Sequence, residues 1–184
     1  VRCPEEAHPA IPCDALQKAL NNLLPRDIAV LACADAPDSF HPRYDCVGKR
    51  YLYKIWNSPV KNPFLKDLAY QYRYPIDEAV ANEAAGKFLG RWDFSSLCAA
   101  GGSVEDKVRS LYRCSVSREG ELVTLSVTGD GFLYNMVRIL TGTVLEVCAG
   151  HIAPGEISGI LLAKDRNKAG PTLPPQGLYL DRVF

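Results

Sequence analysis

A chain of 184 residues with 47% hydrophobic and 23% charged residues has the composition of a globular protein, long enough for one ordinary core or two small α/β subdomains sharing a sheet. Its 21 basic and 21 acidic residues cancel, so no overall basicity announces a nucleic-acid partner, though a local basic cleft can be offset elsewhere. No apolar run reaches membrane-spanning length and no signal peptide is visible. Residues 1–11, with Pro4, Pro9 and nearby Pro12, carry loop signals and little periodicity. A helix is expected from Cys13 to Leu24, where Leu16, Leu20, Leu23 and Leu24 recur at helical spacing and Pro25 stops it. Asp27 to Ala34 reads as a strand, and Pro37 to Arg43 as a loop with Phe40 beside His41 and Arg43.

Seven cysteines (Cys3, Cys13, Cys33, Cys46, Cys98, Cys114 and Cys148) are scattered without a Cys-x-x-C. His8, His41 and His151 are far apart in sequence. This spacing argues against a metal site and for reduced, buried thiols of a cytoplasmic protein.

The segment Gly48–Trp56 is rich in aromatic residues and reads as a strand, with Tyr51, Tyr53 and Ile55 on one face and Leu52, Lys54 and Trp56 on the other. Such tyrosines are ordinary amphipathic core residues, but a basic pair leading into an aromatic face also suits a stacked base and its phosphate. After a loop with Pro59 and Pro63, Leu68 to Tyr74 reads as a strand with Tyr70, Tyr72 and Tyr74 on one side. Asp77 then caps a helix through Leu89, buried on Ala81, Ala84, Ala85, Phe88 and Leu89, with Gly90 as its stop. Asp93–Ser96 reads as a turn and Ala100–Ser103 as a flexible segment, with Lys107 and Arg109 near enough in sequence to meet a nucleic-acid backbone. Val108–Arg118 and Glu121–Thr128 alternate and join at Arg118-Glu119-Gly120, a hairpin signal.

At Gly129-Asp130-Gly131 the strand gives way through a tight turn to a helix. Leu133, Met136, Val137, Leu140 and Val144 form its apolar stripe. Asp130 reads as a cap for this helix. Arg138 lies off the stripe beside Tyr134, Asn135, Thr141 and Gly142. An arginine there needs an anion, and its small and amide-bearing neighbours suggest a cleft wall rather than a plain surface position. A second amphipathic helix carries Ile157, Ile160 and Leu161 and ends in Lys164-Asp165-Arg166. A proline-rich loop follows, and Leu178 to Phe184 closes as a strand. The expected class is α+β, a mostly antiparallel sheet flanked by helices.

Several of these residues recur together. Phe40-His41-x-Arg43 and Lys49-Arg50-Tyr51-x-Tyr53 come first. Asp93-Phe94-Ser95-Ser96, Gly131-Phe132-Leu133-x-Asn135-Met136-Val137-Arg138, Lys164-Asp165-Arg166 and Pro175-Gln176-Gly177-Leu178-Tyr179-Leu180 follow in that order. In this the chain resembles TruA-type tRNA pseudouridine synthases from the first helix onward.

The resemblance implies a pseudouridine synthase fold and isomerisation of uridine to pseudouridine in the anticodon stem and loop of tRNA. The N-glycosidic bond is broken, the uracil rotates, and it is rejoined through carbon, with no cofactor or metal. It further implies a cytoplasmic homodimer with tRNA as partner and no membrane. Tyr51 would pack against the target uracil, and Arg138 would pair with the catalytic aspartate. Phe132 and Met136 would shape the same pocket, and His41, Arg43, Lys49, Arg50, Lys107 and Arg109 would meet RNA phosphates.

The Arg-Thr-Asp-x-Gly-Val-His motif that holds the aspartate in such enzymes is missing from these 184 residues. The expectation is therefore a C-terminal portion, joined through about residues 1–48 to a subdomain outside it and inactive alone. The alternative is a non-catalytic RNA-binding protein of the same fold.

Overall fold

Aromatic residues at alternate positions make Lys49–Asn57 (β1) the strand on which a sheet is assembled. The computed structural model describes residues 11–42, 44–102 and 104–184. The chain divides into two compact units, residues 1–45 and 46–184. The loop expected over residues 1–10, with Cys3 and His8, lies outside the described residues, as do Arg43 and Ser103.

In the first unit the expected helix forms as α1, Cys13–Leu23, and Leu24 leaves it in an extended conformation before Pro25. Its leucine stripe is not buried, and Leu23 is 84% exposed. The strand expected over Asp27–Ala34 does not form. A strand needs a neighbour with which to exchange backbone bonds; here side-chain amides of α1 take that place. Asn21 accepts from the Val30 N–H at 2.7 Å and donates to its carbonyl at 2.9 Å, while Gln17 donates to the Leu31 carbonyl at 2.8 Å.

In the second unit six strands form one sheet. They are β1, β2 (Tyr70–Tyr72), β3 (Gly90–Asp93), β4 (Val108–Glu119), β5 (Leu122–Gly129) and β6 (Leu178–Val183). The spatial order is β2-β1-β5-β4-β3, with β6 also on β1. One side of β1 is taken entirely by β5 in antiparallel register. Its other side is shared: β6 runs antiparallel along Lys49–Tyr53, and β2 runs parallel along Ile55–Asn57. The expected antiparallel sheet thus contains one parallel pair, and β2 is shorter than the Leu68–Tyr74 strand anticipated. The tyrosine ladder is real, with Tyr70–Tyr72 and Tyr72–Tyr74 ring centroids at 6.3 and 5.6 Å.

The hairpin of β4 and β5 closes at Gly120, whose φ of +58° suits the absence of a side chain. Its inward residues Leu111, Cys114, Val116, Val123, Leu125 and Val127 are buried with Tyr53 and Ile55. Burial raises the Cys114 thiol to about 12. The other described cysteines are only half-buried, so the expectation of buried thiols holds for Cys114 alone.

Helices cover that inner face. Asp77 caps α2, Glu78–Gly86, by accepting from the Ala79 and Val80 N–H groups. Ala81, Ala84, Ala85 and Phe88 are fully buried as expected, but the helix ends before Leu89, which is 40% exposed, and Gly90 opens β3 instead. Asn82 on α2 makes a reciprocal amide pair with the Val116 backbone at 2.8 Å in both directions, satisfying β4 where no strand flanks it. Helix α3, Met136–Cys148, buries Met136, Val137, Leu140 and Val144 of the expected stripe. Asp130 does not cap it. That carboxylate accepts from the Ser110 N–H at 2.9 Å while the Asp130 N–H donates to the Ser110 carbonyl at 3.1 Å, fastening β5 to β4. Helix α4, Ile157–Ala163, buries Ile157, Ile160 and Leu161.

At the end of α4 Lys164 adopts φ +52°, a left-handed conformation that costs a non-glycine residue about 1 kcal/mol. Its ammonium lies 2.8 Å from Asp93. That hydrogen bond, with those from Ser95, pulls the Asp93 carboxyl down to about 2 from 3.8. Because the folded value is depressed, the contribution is present above pH 4 and fades as pH falls through 2. Lys164→Gly removes both the strain and the pair. Its thermal melting point, relative to the parent, is expected to improve as pH drops from 7 to 2; a relative melting point independent of pH contradicts this.

Candidate functional site

Tyr51, Phe132 and Met136 come together. Tyr51 points from β1 to the helix-covered face beyond buried Tyr53, and Phe132 sits in the turn between β5 and α3. Their rings meet edge to face, with centroids 5.0 Å apart and planes at 76°. With Leu133, Tyr134, Asn135, Val137 and Leu178 they line a cleft of about 220 Å³ whose floor is the buried Met136. Its size matches a single ring rather than a large organic ligand. Desolvation raises the Tyr51 phenol, so its hydroxyl keeps its proton and remains a donor at neutral pH.

Arg138, in the first turn of α3, is half-buried. Its Nε donates to the Leu173 carbonyl at 2.5 Å and its Nη1 to Asn135 Oδ1 at 2.7 Å. Both acceptors are uncharged. Among the described residues the ion pairs involve other cations, and none includes Arg138. The guanidinium is thus oriented but keeps its full charge, an arrangement suited to a carboxylate or phosphate.

The carbonyl it grips belongs to a strap over α3, residues 166–177. Arg166 donates to the Gly170 carbonyl at 2.9 Å and to Thr172 Oγ1 at 3.0 Å. The Gly170 N–H donates to Thr143 Oγ1 at 3.0 Å, and Tyr53 donates its hydroxyl proton to the Pro174 carbonyl at 2.6 Å. Burial raises the Tyr53 phenol strongly, with Arg138 nearby acting in the opposite sense. The sequence already sets the amide of Asn135 and the small Gly142 beside Arg138, whereas the strap shows there only as a proline-rich loop with no link to the arginine.

The cations expected to meet phosphates are dispersed. Lys49 shares the Tyr51 face of β1, whereas alternation sends Arg50 to the opposite face, where it pairs with Asp181. On that outer face the Lys54 ammonium lies 4.4 Å from the Tyr179 ring centroid. Arg109 packs over Gly131, beside the Phe132 turn, and donates to the Asp106 and Val108 carbonyls at 3.0 and 2.5 Å. Lys107 immediately precedes β4, and its carbonyl accepts from the Phe94 N–H. His41 belongs to the first unit, where its Nδ1 accepts from the Tyr44 N–H at 3.1 Å and its ring lies against Tyr44. No helix among the described residues is long and apolar enough to cross a membrane.

Fold and cleft together describe an α+β protein whose aromatic-walled cleft includes Asn135, the amide that accepts from Arg138. Comparison with known proteins gives that class a family. The tRNA pseudouridine synthase family matches residues 84–184. The chain is 44% identical over 168 residues to a tRNA pseudouridine synthase A of Geobacillus kaustophilus, covering 91% of this chain and 65% of that protein. It is 44% identical over 173 residues to the one of Halalkalibacterium halodurans, covering 94% and 66%, and 43% identical over 175 residues to the one of Bacillus pumilus, covering 95% and 71%. The chain belongs to the tRNA pseudouridine synthase family. It spans about two thirds of the length of these relatives, 65% and 66% for the first two.

Proposed function

We propose that this chain supplies the uracil-stacking wall and the carboxylate-orienting arginine of an enzyme that isomerises uridine to pseudouridine in the anticodon stem and loop of tRNA. The observation that carries this reading is Arg138, held by two neutral acceptors, one of them the cleft-lining Asn135, with no carboxylate paired to it among the described residues. In that reading the catalytic aspartate lies outside these 184 residues, and the chain alone does not convert uridine.

The target nucleotide leaves its stack and places its uracil in the cleft against Tyr51 and Phe132. The Arg138 charge keeps the aspartate ionised and aims it at the sugar–base bond. The aromatic walls exclude water while the detached uracil turns and rejoins through carbon, so no atom is gained or lost. Lys49, Lys107 and Arg109 contact phosphates near the cleft, and Arg50, His41 and Arg43 contact other phosphates of the RNA. Two copies act together as a cytoplasmic homodimer.

Tyr51→Ala in the complete enzyme is expected to lower turnover on bound tRNA by about ten- to hundredfold, the scale of one lost stacking contact. Affinity for tRNA should fall much less. Collapsed affinity with intact turnover would contradict the assigned role.

The decisive experiment measures pseudouridine in tRNA treated with the complete gene product and with its motif aspartate changed to asparagine. Conversion lost only in the variant supports the proposal. Binding without conversion by both proteins favours the binding-only alternative, and conversion by the 184-residue chain refutes the external aspartate.

A further inference from the structure

Asn135 stands just before α3 with φ +60°, one of two described non-glycine residues in the left-handed region. Asparagine tolerates this conformation better than most residues, but glycine does so without strain. A residue at this position usually caps the helix with its side chain, and Asn135 makes no such bond. Its Oδ1 accepts from Arg138 Nη1 at 2.7 Å, and the residue lines the Tyr51 cleft.

We infer that Asn135 is a positioning residue, a neutral clamp that fixes the Arg138 fork while leaving its charge available to the catalytic carboxylate. This rests on the reading of Arg138 given above. An uncharged amide is the right chemistry for that task. A carboxylate at 135 would hold the guanidinium equally well but neutralise it, and would compete with the anion it must receive. The Leu173 carbonyl repeats the same choice at Nε.

The clamp is tested in the complete enzyme by Asn135→Gly and Asn135→Asp, with Arg138→Gln alongside. Glycine accepts φ +60° and removes Oδ1, so the protein should fold with a parental melting point. Turnover on bound tRNA should nevertheless fall by about tenfold or more, the scale of a lost hydrogen bond to a charged group. Asn135→Asp should lose more. The acid limb of its turnover profile should also move to higher pH, because a weakened cation no longer depresses the catalytic carboxyl. A merely structural role would leave that limb in place.

Parental turnover in either Asn135 variant, or an unmoved acid limb in Asn135→Asp, overturns the inference. If Arg138→Gln is itself fully active, the reading of Arg138 fails and the clamp with it. If Arg138→Gln is inactive while both Asn135 variants are parental, only the clamp fails.

Discussion

Arg138→Gln in the complete enzyme should cut the single-turnover rate of pseudouridine formation by about a hundred- to a thousandfold, the cost of breaking one half of a desolvated charge pair. The tRNA dissociation constant should stay near the parental value, because a half-buried arginine held by neutral acceptors adds little to the backbone contacts that dominate RNA affinity. Glutamine can replace one of the two hydrogen bonds but not the charge. Its carboxylate partner should therefore titrate higher, and the acid limb of the rate profile should move up in pH. Arg138→Lys restores the charge without the fork and should fall between parent and Gln variant. Turnover within a few-fold of parental in Arg138→Gln would mean that the cation serves the fold only.

How far this site could be read from sequence depends on which contacts are local. The stripe of α3, the alternation of β1 and the β4–β5 hairpin are periodic patterns, and each appears where its period places it. Tyr51, Phe132 and Met136 converge on one cleft because β1 pairs with β5, and β5 leads directly into the turn before α3. Three readings failed for a common reason. The strand over Asp27–Ala34, the extension of α2 to Leu89 and the cap at Asp130 were inferred from neighbours in sequence. Their outcomes are set by partners elsewhere: the amides of Gln17 and Asn21, the turn into β3, and Ser110 on the adjoining strand. Arg50 shows the limit of a basic pair as a signal. Adjacent residues of a strand face opposite ways, so one of the pair must leave the Tyr51 face.

Gly142→Ala should destabilise the protein although alanine is the better helix former. Inside a helix the exchange is ordinarily worth up to about 1 kcal/mol in favour of alanine. A Cβ at Gly142, however, would stand 2.0 Å from the Pro171 carbonyl oxygen, which is backbone and not the end of a flexible side chain. Nor can the strap yield locally. Gly170 would itself meet the Thr143 nitrogen at 2.5 Å if it carried a Cβ, and a bond to Thr143 and bonds from Arg166, Arg138 and Tyr53 hold residues 170–174 along their length. Overpacking of this kind costs about 2–3 kcal/mol, so the melting point should fall by roughly 5–10 °C. Gly159→Ala in α4, with nothing within 4 Å of its Cβ position, is the matched control and should be neutral or stabilising. The strap carries the Leu173 carbonyl that orients Arg138. Gly142→Ala should therefore also lose turnover beyond its folded fraction at temperatures well below melting. A melting point equal to that of the parent would show that the strap is free to lift away, and Leu173 could not then be what fixes the arginine.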